Sequence, residues 1–176
     1  MRVRRLRHQR LRCALRDQFA AGGAAFGAKV EQPVGFGDQV DAREAKTAIE
    51  GVFGGGGRIQ LGWLVEDATL SKPAIKLLLN LALIAGDALV RGGRLDVGAE
   101  TANGVTEIAI RAEGDRLVLD PELRLALLGQ VDEDKLAPRA AAAWLAHKLA
   151  ASGGGAIQAS DPAEPFLLFG ATIRAA

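Results

Sequence analysis

The sequence predicts an α/β (α+β) fold: a two-layer sandwich, with helices on one face of a mixed, mostly antiparallel sheet. Three observations carry this. Residues 72–93, KPAIKLLLNLALIAGDALVRGG, predict a helix that is apolar on nearly all sides and therefore buried on nearly all sides, at the centre of a core. Strand patterns of period two follow it in hairpin-spaced pairs. Further helical patterns separate the strands, and long helices alternating with hairpin pairs pack on one side of a sheet.

Each element has its own local reason. Asp41 and Glu44 have the spacing of a capping box, and Ala42, Ala45, Ala48, Ile49, Val52 and Phe53 mark one face of the helix that follows. Gly54-Gly55-Gly56-Gly57 stops it. Residues 58–63 alternate polar and apolar as a half-buried strand, and 66–70 connect to the central helix. Ser71 caps that helix and Pro73 suits its first turn, where a missing N–H costs nothing; the helix runs to Val90 and Gly92-Gly93 ends it. Strands are expected at 94–97 and 106–112, joined by a tight turn at Asn103-Gly104, and a short one at 117–119. Pro121 starts a short helix to Leu128. Pro138 starts a longer one over 139–152, with Ala142, Leu145 and Leu149 inward. Gly153-Gly154-Gly155 ends it, and strands at 156–159 and 166–173 close the chain.

Residues 1–37 differ in character and are set apart from a domain at 38–176. Arg2, Arg4, Arg5, Arg7, Arg10, Arg12 and Arg16 crowd the start, with Leu6, Leu11 and Leu15 spaced loosely as on a helix. A basic amphipathic helix is the sharper expectation and a frayed, solvated terminus the plainer one. A net charge of +1 over 176 residues makes no global case for nucleic acid or membrane. Asn80, Gly86 and Asp87 break the best apolar run, so no bilayer span is expected. One cysteine, Cys13, leaves no disulfide framework and no cysteine zinc site, and the cytoplasm is the default location.

The central helix resembles that of the ATP-binding domain of sensor histidine kinases, the Bergerat fold. Leu78, Asn80, Leu81, Ala85, Gly92 and Gly93 fall into register with that family's Asn-bearing pattern. The resemblance implies a second Asn, holding Mg²⁺ and phosphates, where this chain has Ile84; a branched aliphatic offers no oxygen to a hard cation. The family's Asp-x-Gly-x-Gly box is missing from 117–128, and Ala137-Pro138-Arg139-Ala140 stands where a glycine-rich phosphate lid is implied. The scaffold is retained and each nucleotide-binding element is gone. That combination resembles the histidine phosphotransferases of the ChpT type over residues 41–173, through Asp41-x-x-Glu44-Ala45, Arg58-Ile59-x-Leu61-x-Trp63, Lys76-Leu77-Leu78-Leu79-Asn80-Leu81 and Gly92-Gly93-Arg94-Leu95.

The resemblance implies a phosphorelay role without ATP, with response-regulator receiver domains and a hybrid histidine kinase as partners and a homodimer through a preceding helical bundle. In the family that bundle presents a His followed by Asp. This chain has no His-Asp pair: His8 precedes Gln9 and His147 precedes Lys148. His8 reads as a residue of the solvated tail and His147 as an ordinary helix histidine. The Arg-rich start suits a misassigned beginning, with the phosphoacceptor upstream. The competing function is a non-catalytic binding or scaffold protein on the degenerate fold.

No catalytic, cofactor-binding or metal-ligating residue is assigned, and no cofactor is expected. Asp120, Asp132, Glu133 and Asp134 read as solvated loop charge rather than an acid/base pair in a cleft. Asp115 with Arg116 reads as a turn. Ser152 and Ser160 lack a His partner, and the glycine run at 54–57 lacks the Lys-Ser/Thr ending of a phosphate loop. Asn80 and Asp87 share a helix face, and structural roles are expected for both: a buried, hydrogen-bonded Asn and a helix-end carboxylate near the sheet.

Overall fold

The computed structural model describes residues 39–174. The expectations for residues 1–37, His8 among them, lie outside that range. In chain order the elements are β1 (Gln39–Asp41), α1 (Ala42–Phe53), β2 (Ile59–Trp63), β3 (Thr69–Ser71), α2 (Lys72–Asp87), β4 (Gly93–Ala102), β5 (Val105–Glu113), α3 (Pro121–Leu127), α4 (Ala141–Ser152), β6 (Ile157–Ala159) and β7 (Leu167–Arg174). Five strands form one sheet in the order β2-β4-β5-β7-β6, with β2 and β4 parallel and the other neighbours antiparallel. β1 and β3 pair separately as an antiparallel ribbon. The helices pack on one face of the five-stranded sheet, as a two-layer sandwich requires.

Alternation builds the sheet's contribution to the core. Leu95 and Val97 on β4, Ile108 and Ile110 on β5, and Phe169 and Ala171 on β7 are buried and face the helices. Against them α2 sets Ala74, Leu77, Leu78, Leu81, Ala82 and Ala85, all with no exposed surface. Both helix caps expected at this end of the fold form. Ser71 Oγ accepts from the amide of Ala74 at 3.4 Å, with Pro73 in the first turn, and Asp41 Oδ1 accepts from the amide of Arg43 at 2.8 Å. The β4–β5 hairpin turns at Asn103 and Gly104, at φ 53° and 73°, the left-handed pair that a two-residue hairpin loop demands. Gly92 sits at φ 82° with the carbonyl of Arg58 where a side chain would stand, so only glycine lets β4 start beside β2.

Several local expectations are corrected. The central helix is not enclosed on every side: Lys72, Lys76, Leu79, Asn80, Leu83 and Asp87 form a stripe of half-buried to exposed residues along it. The helix ends at Asp87 rather than Val90, because residues 88–92 turn back through the amide of Gly92 on the carbonyl of Leu89 at 2.9 Å. Residues 117–119 form no strand; Leu117 bridges Leu89, and the amide of Val118 donates to the carbonyl of Ala88 at 2.9 Å. β4 continues to Ala102, because its register with β5 holds as far as the turn. β1 and β3 are too short for their sequence to show a period.

The inward face of α4 is also different. Ala143, Ala146 and Ala150 are buried, whereas Ala142 is exposed and Leu145 is 52% exposed. The largest apolar side chains do not choose the face here; alanines let α4 approach α2 and β7 closely. On α1, likewise, Ala42, Ala45 and Ile49 are buried, but Ala48 is exposed and Val52 is 60% exposed.

Replacing Leu81 by Ala is expected to cost about 2–5 kcal/mol of unfolding free energy, read from urea denaturation, because the cavity lies where helix and sheet meet. A second expectation concerns pH. The Arg43 guanidinium and amide hold the Asp41 carboxyl below its ordinary 3.8. A depressed carboxyl stabilises the fold fully above its unfolded value, and that contribution is lost as pH falls through the folded value. Asp41→Asn should therefore flatten the acid limb of stability against pH below about 4 by lowering the neutral plateau towards the low-pH value, a small change because Asn keeps the cap and loses only the charge.

Candidate functional site

The open stripe of α2 and the segments around it lie where the resemblance implies nucleotide chemistry. Asn80 is half-buried, and its Nδ2 donates to the carbonyl of Lys76 at 2.8 Å, one turn back on its own helix. This hydrogen bond is local to the helix rather than made to the core. Asp87 is the exposed last residue of α2 and lines a cleft together with Arg58 and Ile59 at the start of β2. Asn80 is less buried than expected because, like Asp87, it belongs to the stripe of α2 that the rest of the fold leaves uncovered. Ile84 is 7% exposed and joins the main apolar core.

The acidic residues are more engaged than loop charge. Asp120 caps α3 through the amide of Glu122 at 2.8 Å. Arg139, in the short 3-10 turn before α4, reaches back to both: its Nε lies 3.3 Å from Asp120 Oδ2 and its Nη2 lies 2.8 Å from Glu122 Oε2. This clasp occupies the position where the resemblance implies a glycine-rich lid, and it fixes that segment to the start of α3. Glu133 accepts from Trp144 Nε1 at 3.2 Å and pairs with Lys148. The Lys148 ammonium holds the Glu133 carboxyl below its usual range and also lies 4.8 Å from the centre of the Trp144 ring. Asp132 pairs with Lys135 at 3.9 Å.

His147 stacks on Trp144, with ring centres 5.1 Å apart, and its imidazole covers Gly129. It is half-buried in this cluster and is followed by Lys148, so the ordinary helix position read from the sequence fits its surroundings. Ser160 is buried: its hydroxyl donates to the carbonyl of Phe166 at 3.3 Å and accepts from the amide of Leu168 at 3.0 Å, a structural task at the end of β6. Ser152 Oγ donates to the carbonyl of Leu149 at 3.0 Å on its own helix. Among the described residues, no group of three or more His, Cys, Asp or Glu side chains could hold a metal ion. No described helix is long and apolar enough to cross a membrane.

A cleft of about 320 Å³ lies where α1 and α2 end together, lined in part by Val52, Phe53, Arg58, Asp87 and Val90. Its walls mix apolar side chains with Arg58, Asp87 and glycine backbone, and it holds no pair of carboxylates. Sequence reasoning missed the Arg139 clasp, because its partners lie 17 and 19 residues away. The Trp144–Lys148 contact did leave a signal, an i,i+4 spacing on one helix face.

Comparison with known proteins gives the family. A model of the histidine phosphotransferase C-terminal domain matches residues 42–165. A bacterial phosphotransferase solved at 1.7 Å is similar at 26% identity and TM-score 0.67, over 94% of this chain and 75% of that one. The mycobacterial sensor histidine kinase MprB shares the fold at 18% identity and TM-score 0.57, over 78% of this chain and 96% of that one. The histidine kinase ThkA, solved in complex with the response regulator protein TrrA, shares it at 16% identity and TM-score 0.53, over 78% of this chain and 41% of that one. No curated protein matches the chain. With the greater part of its length matched by that family's model, the chain belongs to the histidine phosphotransferase family and carries its C-terminal domain.

Proposed function

We propose that this domain serves a phosphorelay as the receiver-docking part of a ChpT-type histidine phosphotransferase, and that it acts in the cytoplasm without binding ATP. Ile84 carries the proposal. It stands where an active kinase of this fold is expected to place an Asn oxygen on Mg²⁺, and it is turned into the apolar core instead. The Arg139 clasp supports the same reading, since a segment tied to Asp120 and Glu122 has no glycine backbone free to cradle phosphate. In this role the phosphoryl group comes from a receiver aspartate. Its P–O bond breaks as a P–N bond forms to a histidine on another segment, and the reverse exchange delivers it to the next receiver. No nucleotide is consumed. The domain's contribution is the surface that holds the receiver. Its partners are response-regulator receiver domains and the hybrid kinase that supplies them, and the complete enzyme works as a homodimer.

The absence of a His-Asp pair in the sequence favours a second reading, a scaffold that binds through its surfaces without phosphotransfer. Transfer from a radiolabelled phospho-receiver separates the two. The expected result is receiver binding with no label on this chain. Label that disappears in His8→Ala or His147→Ala would show a complete enzyme within it, and loss of binding as well as label would leave the scaffold. Titration with a fluorescent ATP analogue and Mg²⁺ should give no saturable signal. Ile84→Asn should not create one, because the glycine boxes are still missing. Saturable, Mg²⁺-dependent binding by the unmodified chain would overturn the nucleotide-free reading.

A further inference from the structure

Of the two outer strands of the five-stranded sheet, β6 has three residues, with Pro162 and Pro165 in the segment after it, and offers little to pair with. β2 is different. It has five residues, Ile59-Gln60-Leu61-Gly62-Trp63, with no charge and no proline among them. Sheets blunt an outer strand with such residues, because its unpaired backbone groups are a template for another strand. Which groups those are follows from parity. The carbonyl of Arg58 accepts from the amide of Gly93, and the amide of Leu64 donates to the carbonyl of Val97, both at 2.8 Å. Even-numbered positions therefore face β4, and the amides and carbonyls of Ile59, Leu61 and Trp63 point outward. Among the described residues no strand takes them up. Their side chains form one row, half-buried, packed inward on the core.

Charge says which strand fits this edge. The nearest charged residues flanking β2 are Arg58 before it and Glu66 after it. Both are exposed, and among the described residues neither has an ion-pair partner. A second copy of the chain, running antiparallel about a two-fold axis at Leu61, is complementary at every position. It sets Leu61 against Leu61 of the copy and Ile59 against its Trp63, apolar on apolar. It also carries Arg58 of each copy to the end of the pair where the other has Glu66. A parallel pairing sets like charge against like at both ends.

We propose that the outer edge of β2 docks a second copy of this chain, the two β2 strands pairing antiparallel about Leu61 so that two five-stranded sheets join into one. The contact is a property of the domain and does not rest on the phosphorelay reading. An edge of five residues is small, so the contact is weak and reversible.

The test uses the full chain, with sedimentation equilibrium to detect the dimer and residue-resolved amide exchange to locate it. The expected result is a monomer–dimer equilibrium with a dissociation constant on the order of 100 µM, as a small interface allows. The amides of Ile59, Leu61 and Trp63 should exchange more slowly as concentration rises, whereas those of Gln60 and Gly62, which face β4, should not change. Arg58→Glu or Glu66→Arg alone should raise the constant about tenfold, because each sets like charges together at both ends of the pair. The double variant Arg58→Glu/Glu66→Arg should bring it back to within about twofold. A chain that stays monomeric at about 1 mM overturns the proposal. So does a dimer indifferent to the single changes, or one that the double variant does not restore. Protection of the three outward amides at every concentration would mean that the edge is covered within one chain, and would overturn it equally.

Discussion

Helix α2 presses Ala74, Leu77, Leu78, Leu81 and Ala85 onto strands β4, β5 and β7, and every other element is placed by that contact. The helix has too many apolar faces to lie on a surface, so the sheet must cover one side and neighbouring helices the flanks. α1 and α4 take those flanks. What remains uncovered is the narrow stripe from Lys72 to Asp87. The one place where polar side chains meet the central helix is thus what is left over when its apolar sides have been buried.

Around that stripe, local bonds tie down the residues to which the resemblance gives nucleotide chemistry. Asn80 spends its amide on the backbone of its own helix, Ile84 is drawn into the core, and Arg139 ties the turn ahead of α4 to the cap of α3. A second tie, of Glu133 to Trp144 and Lys148, anchors the turn at 133–135 to α4. These exposed pairs are individually weak, yet several acting on one short segment restrict it more than any one could. In the proposed function the domain offers binding surface, and the phosphoryl chemistry falls to residues on other segments. The two faces of the sheet differ: one builds the core with the helices, and the other carries Asp96, Arg111, Glu100 and Glu107 beside a small buried cluster of Leu64 and Ala109.

Much of the fold was legible in the sequence because its signals are local. A proline after a serine, an Asn-Gly turn, glycine pairs and alternating strands each act within a few residues, and the caps at Asp41 and Ser71 formed as their side chains require. The strand expected at 117–119 and the inward face expected for α4 failed for a shared reason. Both turned on which neighbour the segment meets: residues 117–118 meet the turn after α2, and α4 meets α2 closely enough that alanines fit and Leu145 does not.

The sequence by itself determined the order of the four helices and of the five strands of the main sheet, the central helix, the caps and the hairpin turn, and the replacement of the expected second Asn by Ile84, because residue identity and short-range sterics decide those. The tertiary structure alone decided that Asn80 bonds its own helix, that Asp87 lies exposed, that Arg139 reaches 17 and 19 residues back to close a loop, and that Glu100 faces Glu107. Those depend on distances between residues far apart in the chain, which register and helix packing set and no local pattern records.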